Sequence, residues 1–234
     1  MVRGQQRAMS KIGDNIQAIQ KALPESVRLI VVTKFHPEEA LMEAYEAGAR
    51  DFGENHVQEL VPKAEHLPKD IRWHFVGNLQ RNKVKRIIPF VSLIHSVDSK
   101  RLFDEVLKRA EEAQRVVDIL LEVHIGGEET KEGIAPSELD ELTKECVEAI
   151  KERPFVRIRG LMGMASHTDD EEQIRREFAC LKRLFEQQKS HYFTSEESLF
   201  DTLSMGMSND WPIAVEEGST MIRVGTAVMG QRNY

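Results

Sequence analysis

Eight short apolar, β-branched runs follow one another along the chain, with helix-forming stretches between them. RLIVVTK, ending at Lys34, precedes Pro37 and a stripe of Leu41, Met42 and Tyr45 that stops at Gly48. DFGE precedes a helix from about Asn55, RWHFVG one from about Leu79, and SLIHSVD one carrying Leu102, Phe103, Val106, Leu107 and Ala110. VVDILLEVHI leads into Leu139, Leu142, Cys146 and Ile150, and VRIRGLMGMA into Ile174, Phe178, Leu181 and Leu184. LFDTLSMGMS and MIRVGTAVMG supply a seventh and an eighth strand around a short helical stretch near Asp210 to Glu217. Such alternation specifies parallel βαβ units. With 234 residues, the chain fits the ~200–250 that a closed (β/α)8 TIM barrel needs, and no GxGxxG opens a helix after the first strand to favour a doubly wound sheet. The expectation is one α/β domain over residues 1–234, with an extra helix over residues 4–23 whose Ile12, Ile16, Ile19 and Leu23 pack on the barrel's outside or bottom.

Composition narrows the function classes. Hydrophobic residues at 41% and charged residues at 30% suit a soluble protein with a large core. The start, MVRGQQRAMSKIGDNI, lacks a secretory apolar run, and no stretch approaches the ~20 apolar residues of a membrane helix, so a cytoplasmic protein is expected. A net charge of −7 argues against nucleic-acid binding, and the basic cluster Arg81, Lys83, Lys85, Arg86 reads as a solvated helix face. Cys146 and Cys180 show neither CxxC nor Cys/His spacing, so neither a metal site nor a disulfide is expected.

A barrel works at the C-terminal ends of its strands, so the polar residues found there are the candidates. Lys34 ends the first strand, where loss of hydration favours a neutral amine able to attack a carbonyl; the alternative is a lysine that snorkels to solvent or pairs with Glu54. Closing the barrel places strand one beside strand eight, and eight beside seven, which gathers Lys34, Arg223 and Ser208. Residues 205–210 (MGMSND) and 224–227 (VGTA) offer small residues and hydroxyls where barrels commonly bind phosphate. A lysine nucleophile beside a phosphate cradle points to pyridoxal 5'-phosphate. The loop GGEETKEGIAP is either a substrate-facing lid or a plain connection.

The segments VVTKFHP, AGARDFGENHVQE, WHFVGNLQRNK, HIGGEETKEG, GLMGMA and LSMGMSNDWPIAVEEGSTMIRVGTAVMG, in that order and spacing, resemble the pyridoxal phosphate homeostasis protein family, relatives of the N-terminal barrel of alanine racemase. The resemblance spans nearly the whole chain. It implies Lys34 as the lysine of an internal aldimine, with Ser208, Gly225 and Thr226 around the phosphate and Arg223 beside the pyridine nitrogen. It further implies Asn55 and His74 along the cofactor's other side, with Ser166, Met205 and Met207 as additional contacts. His56 departs from the family pattern, which favours tyrosine after GEN.

Arg223 in that place keeps its proton and leaves the pyridine a weak electron sink, against transamination and decarboxylation. Racemisation also needs a base on the opposite face, which the racemases take from a tyrosine of a second domain. Tyr45, Tyr192 and Tyr234 do not fill that role from sequence, though His74 or His167 could substitute. Three readings follow: a monomeric carrier or buffer that holds pyridoxal phosphate and delivers it to cofactor-requiring apo-enzymes; a racemase of low activity; and a cofactor-free barrel using a lysine Schiff base.

Overall fold

A computed structural model describes residues 11–127 and 132–231, so residues 4–10 of the helix expected over residues 4–23, and part of the GGEETKEGIAP loop, lie outside the described residues. Helix α1 (Lys11–Ala22) comes first, followed by β1 (Arg28–Val32), α2 (Glu38–Glu46), β2 (Asp51–Glu54), α3 (Val57–His66) and β3 (Arg72–Phe75). A 3-10 turn (Arg81–Lys83) opens α4 (Val84–Ile87), and then come β4 (Leu93–Val97), α5 (Lys100–Glu112), β5 (Val117–Glu122) and α6 (Leu139–Glu152). The chain continues through β6 (Val156–Met162), α7 (Glu171–Tyr192), β7 (Thr202–Ser204), α8 (Trp211–Glu216), β8 (Met221–Val224) and α9 (Thr226–Met229).

All eight strands pair in parallel and in sequence order, and β8 closes on β1 with Arg28 opposite Met221 and Val31 opposite Val224. Side chains alternate along each strand between the barrel interior and the helix-facing layer. In β1, Leu29 and Val31 join the large core between strands and helices, whereas Ile30 joins Leu93, Leu120, Met162 and Met221 in a separate interior cluster. That cluster fills the barrel beneath its open end, so the interior is a packed plug and not a pore.

Helix faces follow the expected stripes. Ile16 and Ile19 bury α1 against the barrel's outside, where Asn15 Nδ2 donates to Val228 O of α9 at 3.0 Å. In α5, Ser99 caps the first turn by accepting from Leu102 N, and Leu102, Phe103, Val106, Leu107 and Ala110 are buried as the spacing predicts. The helix expected from about Leu79 is instead a 3-10 turn and a single α turn: Ile88 is still helical at φ −52° and ψ −39°, but Pro89 has no N–H to donate to the carbonyl four residues back, so the helix stops there. Arg81, Lys85 and Arg86 are exposed there, as a solvated face requires. Cys146 is buried on α6 and Cys180 is half-buried on α7, both as free thiols.

Gly160 fixes the phase of β6. It sits at φ +153°, and a β-carbon there would lie 1.7 Å from Thr202 O of β7, a distance only glycine allows. Opposite it, β5 shifts register between Ile119 and Leu120, a bulge that turns Met162 into the interior.

Candidate cofactor site

The chain leaves β1 through Thr33, Lys34 and Phe35, and a polar clamp holds both neighbours of Lys34. Glu54, fully buried at the end of β2, accepts from Thr33 Oγ1 at 2.6 Å and from Lys63 Nζ of α3 at 2.6 Å. Lys63 also donates to Thr33 O at 3.0 Å, and Glu59 of the same helix accepts from Phe35 N at 2.8 Å. Glu54 therefore pairs with Lys63, not with Lys34. Burial pushes the Glu54 carboxyl pKa upward, and the Lys63 charge beside it opposes the shift. Phe35 is left-handed at φ 63°, a conformation costing about 1–2 kcal/mol for a residue with a β-carbon. Such strain is common at functional turns, and here it sits directly after the half-buried Lys34. His56, the departure from the family pattern, packs its ring 5.2 Å from that of Phe35.

Asn55 follows Glu54, and the chain after β3 passes against it so closely that a β-carbon on Gly77 would lie 2.3 Å from Asn55 O. Across the mouth, the turn between β7 and α8 is held by Asp210 Oδ1, which accepts from Met207 N at 2.7 Å. Ser208 Oγ accepts from Ala227 N at 3.3 Å, joining that turn to the first turn of α9, for which Gly225 is the N-cap. Arg223 rises from β8 with 4% of its surface exposed. Its Nη1 donates to Ser204 Oγ and its Nη2 to Gly163 O at 3.2 Å. Burial lowers its pKa to about 10, against the pull of Glu122 and Asp210, so the guanidinium stays charged at neutral pH.

These elements enclose one cavity of about 290 Å3 whose wall includes Lys34, Asn55, Ser166, Met207, Ser208, Arg223, Gly225 and Thr226. Two expected contacts lie elsewhere. His74, 2% exposed, donates or accepts with Asp51 Oδ1 and His95 Nε2, both at 2.9 Å, and faces the opening at the opposite end of the barrel with Arg28 and Arg72. Reading it as the end of its strand is off by one inward position: Val76, two residues and about 7 Å further along, is the one that reaches the cavity. Met205 is fully buried in the outer core, because Ser204 takes the inward position of that pair.

Glu122 is the last residue of β5, at the same end of the barrel, and belongs to the site although no local motif marks it. It is 6% exposed and lines an adjoining lobe of about 270 Å3 that shares Met164, Ala165, Ser166, His167 and Met207 with the first cavity. Burial, then the Asp98 charge, raise its pKa from 4.5 to about 7, with Arg223 opposing. Between those values the folded protein holds a proton that the unfolded chain has lost, so stability falls as pH rises through this window. The difference between the two values corresponds to about 3 kcal/mol. Glu122→Gln, which mimics the protonated acid, is expected to lie within about 1 kcal/mol of wild type in urea unfolding at pH 5 and to exceed it by up to about 3 kcal/mol at pH 8. Parallel profiles for the two proteins would refute the assignment.

Comparison with known proteins agrees with this architecture. The family model described as alanine racemase, N-terminal domain, matches residues 8–233. The pyridoxal phosphate homeostasis protein of Aquifex aeolicus is 40% identical, covering 97% of this chain and 99% of that protein. PipY of Synechococcus elongatus, in a structure with PLP bound, superposes with a TM-score of 0.84 at 36% identity, covering 94% of this chain and 100% of that one. Alanine racemase from Streptomyces lavendulae, at 19% identity and a TM-score of 0.78, shares the fold over 59% of its own length. By these matches along its whole length, the chain belongs to the pyridoxal phosphate homeostasis protein family and carries the barrel of the alanine racemase N-terminal domain.

Proposed function

We propose that this protein binds pyridoxal 5'-phosphate on Lys34 and serves in homeostasis of that cofactor, as a holder and donor and not as a catalyst of a reaction of its own. The observation that carries the reading is that Lys34 and the charged, buried Arg223 share one cavity with Ser208, Gly225 and Thr226 at the start of α9. The names of its relatives and the PLP-bound PipY structure support it.

The donor set fits the cofactor's chemistry. Asn55 Oδ1 is buried on the cavity wall without a hydrogen-bond partner, an acceptor that a ligand hydroxyl satisfies. The hydroxyls of Ser208 and Thr226, with the N–H groups opening α9, suit a phosphate. Arg223 would face the pyridine nitrogen, and Ser166 and Met207 would border the ring. When bound, the cofactor supplies an aldehyde for the Lys34 amine and an electron sink. Arg223 keeps its proton, so it donates a hydrogen bond without protonating the ring and holds that sink weak.

Racemisation needs a base opposite Lys34. Tyr45 gives its hydroxyl to Asp70 and Tyr192 to Asp140, both away from the cavity, and His74 is committed to Asp51 and His95, which leaves His167, on the cavity wall, as the histidine that an α-proton exchange assay must test. Tyr234 lies outside the described residues. The recipients in this reading are cofactor-requiring apo-enzymes, and the carrier is a monomer, with every proposed binding residue drawn from one barrel.

Titration of cofactor-free protein with pyridoxal phosphate and with pyridoxal tests the reading. A visible absorption band is expected with the phosphate ester, and affinity weaker by roughly a hundredfold without it, the worth of one or two charge-assisted hydrogen bonds. No band, or equal affinities, would contradict it.

A further inference from the structure

Through the interior of the barrel runs a chain of side chains that the binding reading leaves unused. Arg223 of β8 meets Ser204 of β7, Ser204 Oγ lies 2.9 Å from His95 Nδ1 of β4, His95 Nε2 lies 2.9 Å from His74 Nδ1 of β3, and His74 Nε2 lies 2.9 Å from Asp51 Oδ1 of β2. All five residues are buried. With both imidazoles neutral, the two ends decide the direction of every link. A guanidinium only donates, and an ionised carboxylate only accepts. Asp51 is ionised: burial resists it, but hydrogen bonds from Arg72 and His74 hold its pKa well below the usual carboxylate range.

His74 therefore donates from Nε2 and must accept at Nδ1. That acceptor requires a proton on His95 Nε2, which leaves His95 Nδ1 to accept from the Ser204 hydroxyl. Ser204 Oγ then accepts from Arg223. Burial lowers the pKa of both imidazoles, with the Asp51 hydrogen bond opposing for His74 and the Arg223 charge adding for His95, which favours the neutral rings.

From this geometry we infer that His95 is a positioning residue for Arg223: a one-way hydrogen-bond relay, Arg223 to Ser204 to His95 to His74 to Asp51, orients the guanidinium in the cavity and links it to the carboxylate at the opposite end of the barrel. Among the described residues no carboxylate forms an ion pair with Arg223 within 4 Å, and a buried charge left without such a partner is costly. A carboxylate bonded directly to Arg223 would balance the charge but take up donors that face the cavity. The relay offsets the charge from a distance and engages one donor, Nη1, while Gly163 O takes a second. The inference rests on the proposed role of Arg223 toward the cofactor, but the direction of the relay does not.

Two measurements test it. In 15N-labelled protein free of cofactor, imidazole NMR is expected to show His74 and His95 as neutral Nε2–H tautomers from pH 5.5 to 8. An Nδ1–H tautomer or an imidazolium at either would overturn the relay. In the second, His95→Leu breaks the chain, whereas His95→Gln keeps a donor near the place of Nε2 and an acceptor near that of Nδ1. His95→Leu is expected to weaken pyridoxal phosphate binding by about tenfold or more and to move the visible band, with His95→Gln within about twofold of wild type. Unchanged affinity in His95→Leu, or equal losses in both variants, would overturn the positioning role. Failure of wild type to bind the cofactor would overturn that role together with the binding proposal, while the NMR result would still decide the relay.

Discussion

Lys34→Ala is expected to lose the visible absorption band of the loaded protein and to release pyridoxal phosphate on gel filtration, while folding as wild type does. Lys34 is half-buried just beyond the last residue of β1, and Glu54 pairs with Lys63, so removing the Lys34 amine leaves that buried carboxylate paired. Binding should weaken on the order of a hundredfold and not vanish, because Arg223, Ser208 and the opening turn of α9 still face the cavity. Equilibrium dialysis and absorbance read both effects. A variant that kept the visible band would place the covalent link on another lysine.

Lys63→Met is the second large effect, and it acts on the fold and the site together. Lys63 and Glu54 form an ion pair at 2.6 Å with side-chain exposures of 8% and 0%. Loss of one partner strands a buried carboxylate, at a cost of about 3–5 kcal/mol. The same substitution removes the bond from Nζ to Thr33 O, which fixes the backbone beside Lys34. Urea unfolding should show the full loss, and any folded variant should bind the cofactor more weakly because the strained turn at Phe35 has lost support. Glu54→Gln combined with Lys63→Met removes both charges, so it should recover most of the stability. Failure of the double variant to recover would mean that packing, not charge pairing, sets the cost.

The barrel was legible in the sequence because its signals are local. Each strand is a short apolar run, each long helix carries a 3.6-residue stripe, and their order prescribes parallel pairing. Lys34, Ser208 and Arg223 could be gathered because closure makes strands one, seven and eight neighbours. Depth inside the barrel was less legible. His74 was placed at the cavity although it sits one inward position too deep, since strand alternation gives the face of a residue and not its height. The short α4 shows a breaker, Pro89, overriding the helical pattern around it. His95 in LIHSV carried a usable signal, an imidazole at the inward position of an apolar strand. Its partner Ser204, however, is 109 residues away, and nothing local pairs the two. The clamp of Glu54, Glu59 and Lys63 was hidden similarly, since its purpose appears only when α3 packs beside the turn at Lys34.

Lys34 is the proposed holder of the cofactor. Borohydride reduction of the loaded protein, followed by digestion and peptide mass measurement, tests it most directly. A reduced pyridoxyl phosphate group is expected on the peptide carrying Lys34, absent when Lys34→Ala is treated in the same way. A label on Lys63, Lys83 or another lysine, or no label on a protein that binds the cofactor, would contradict it.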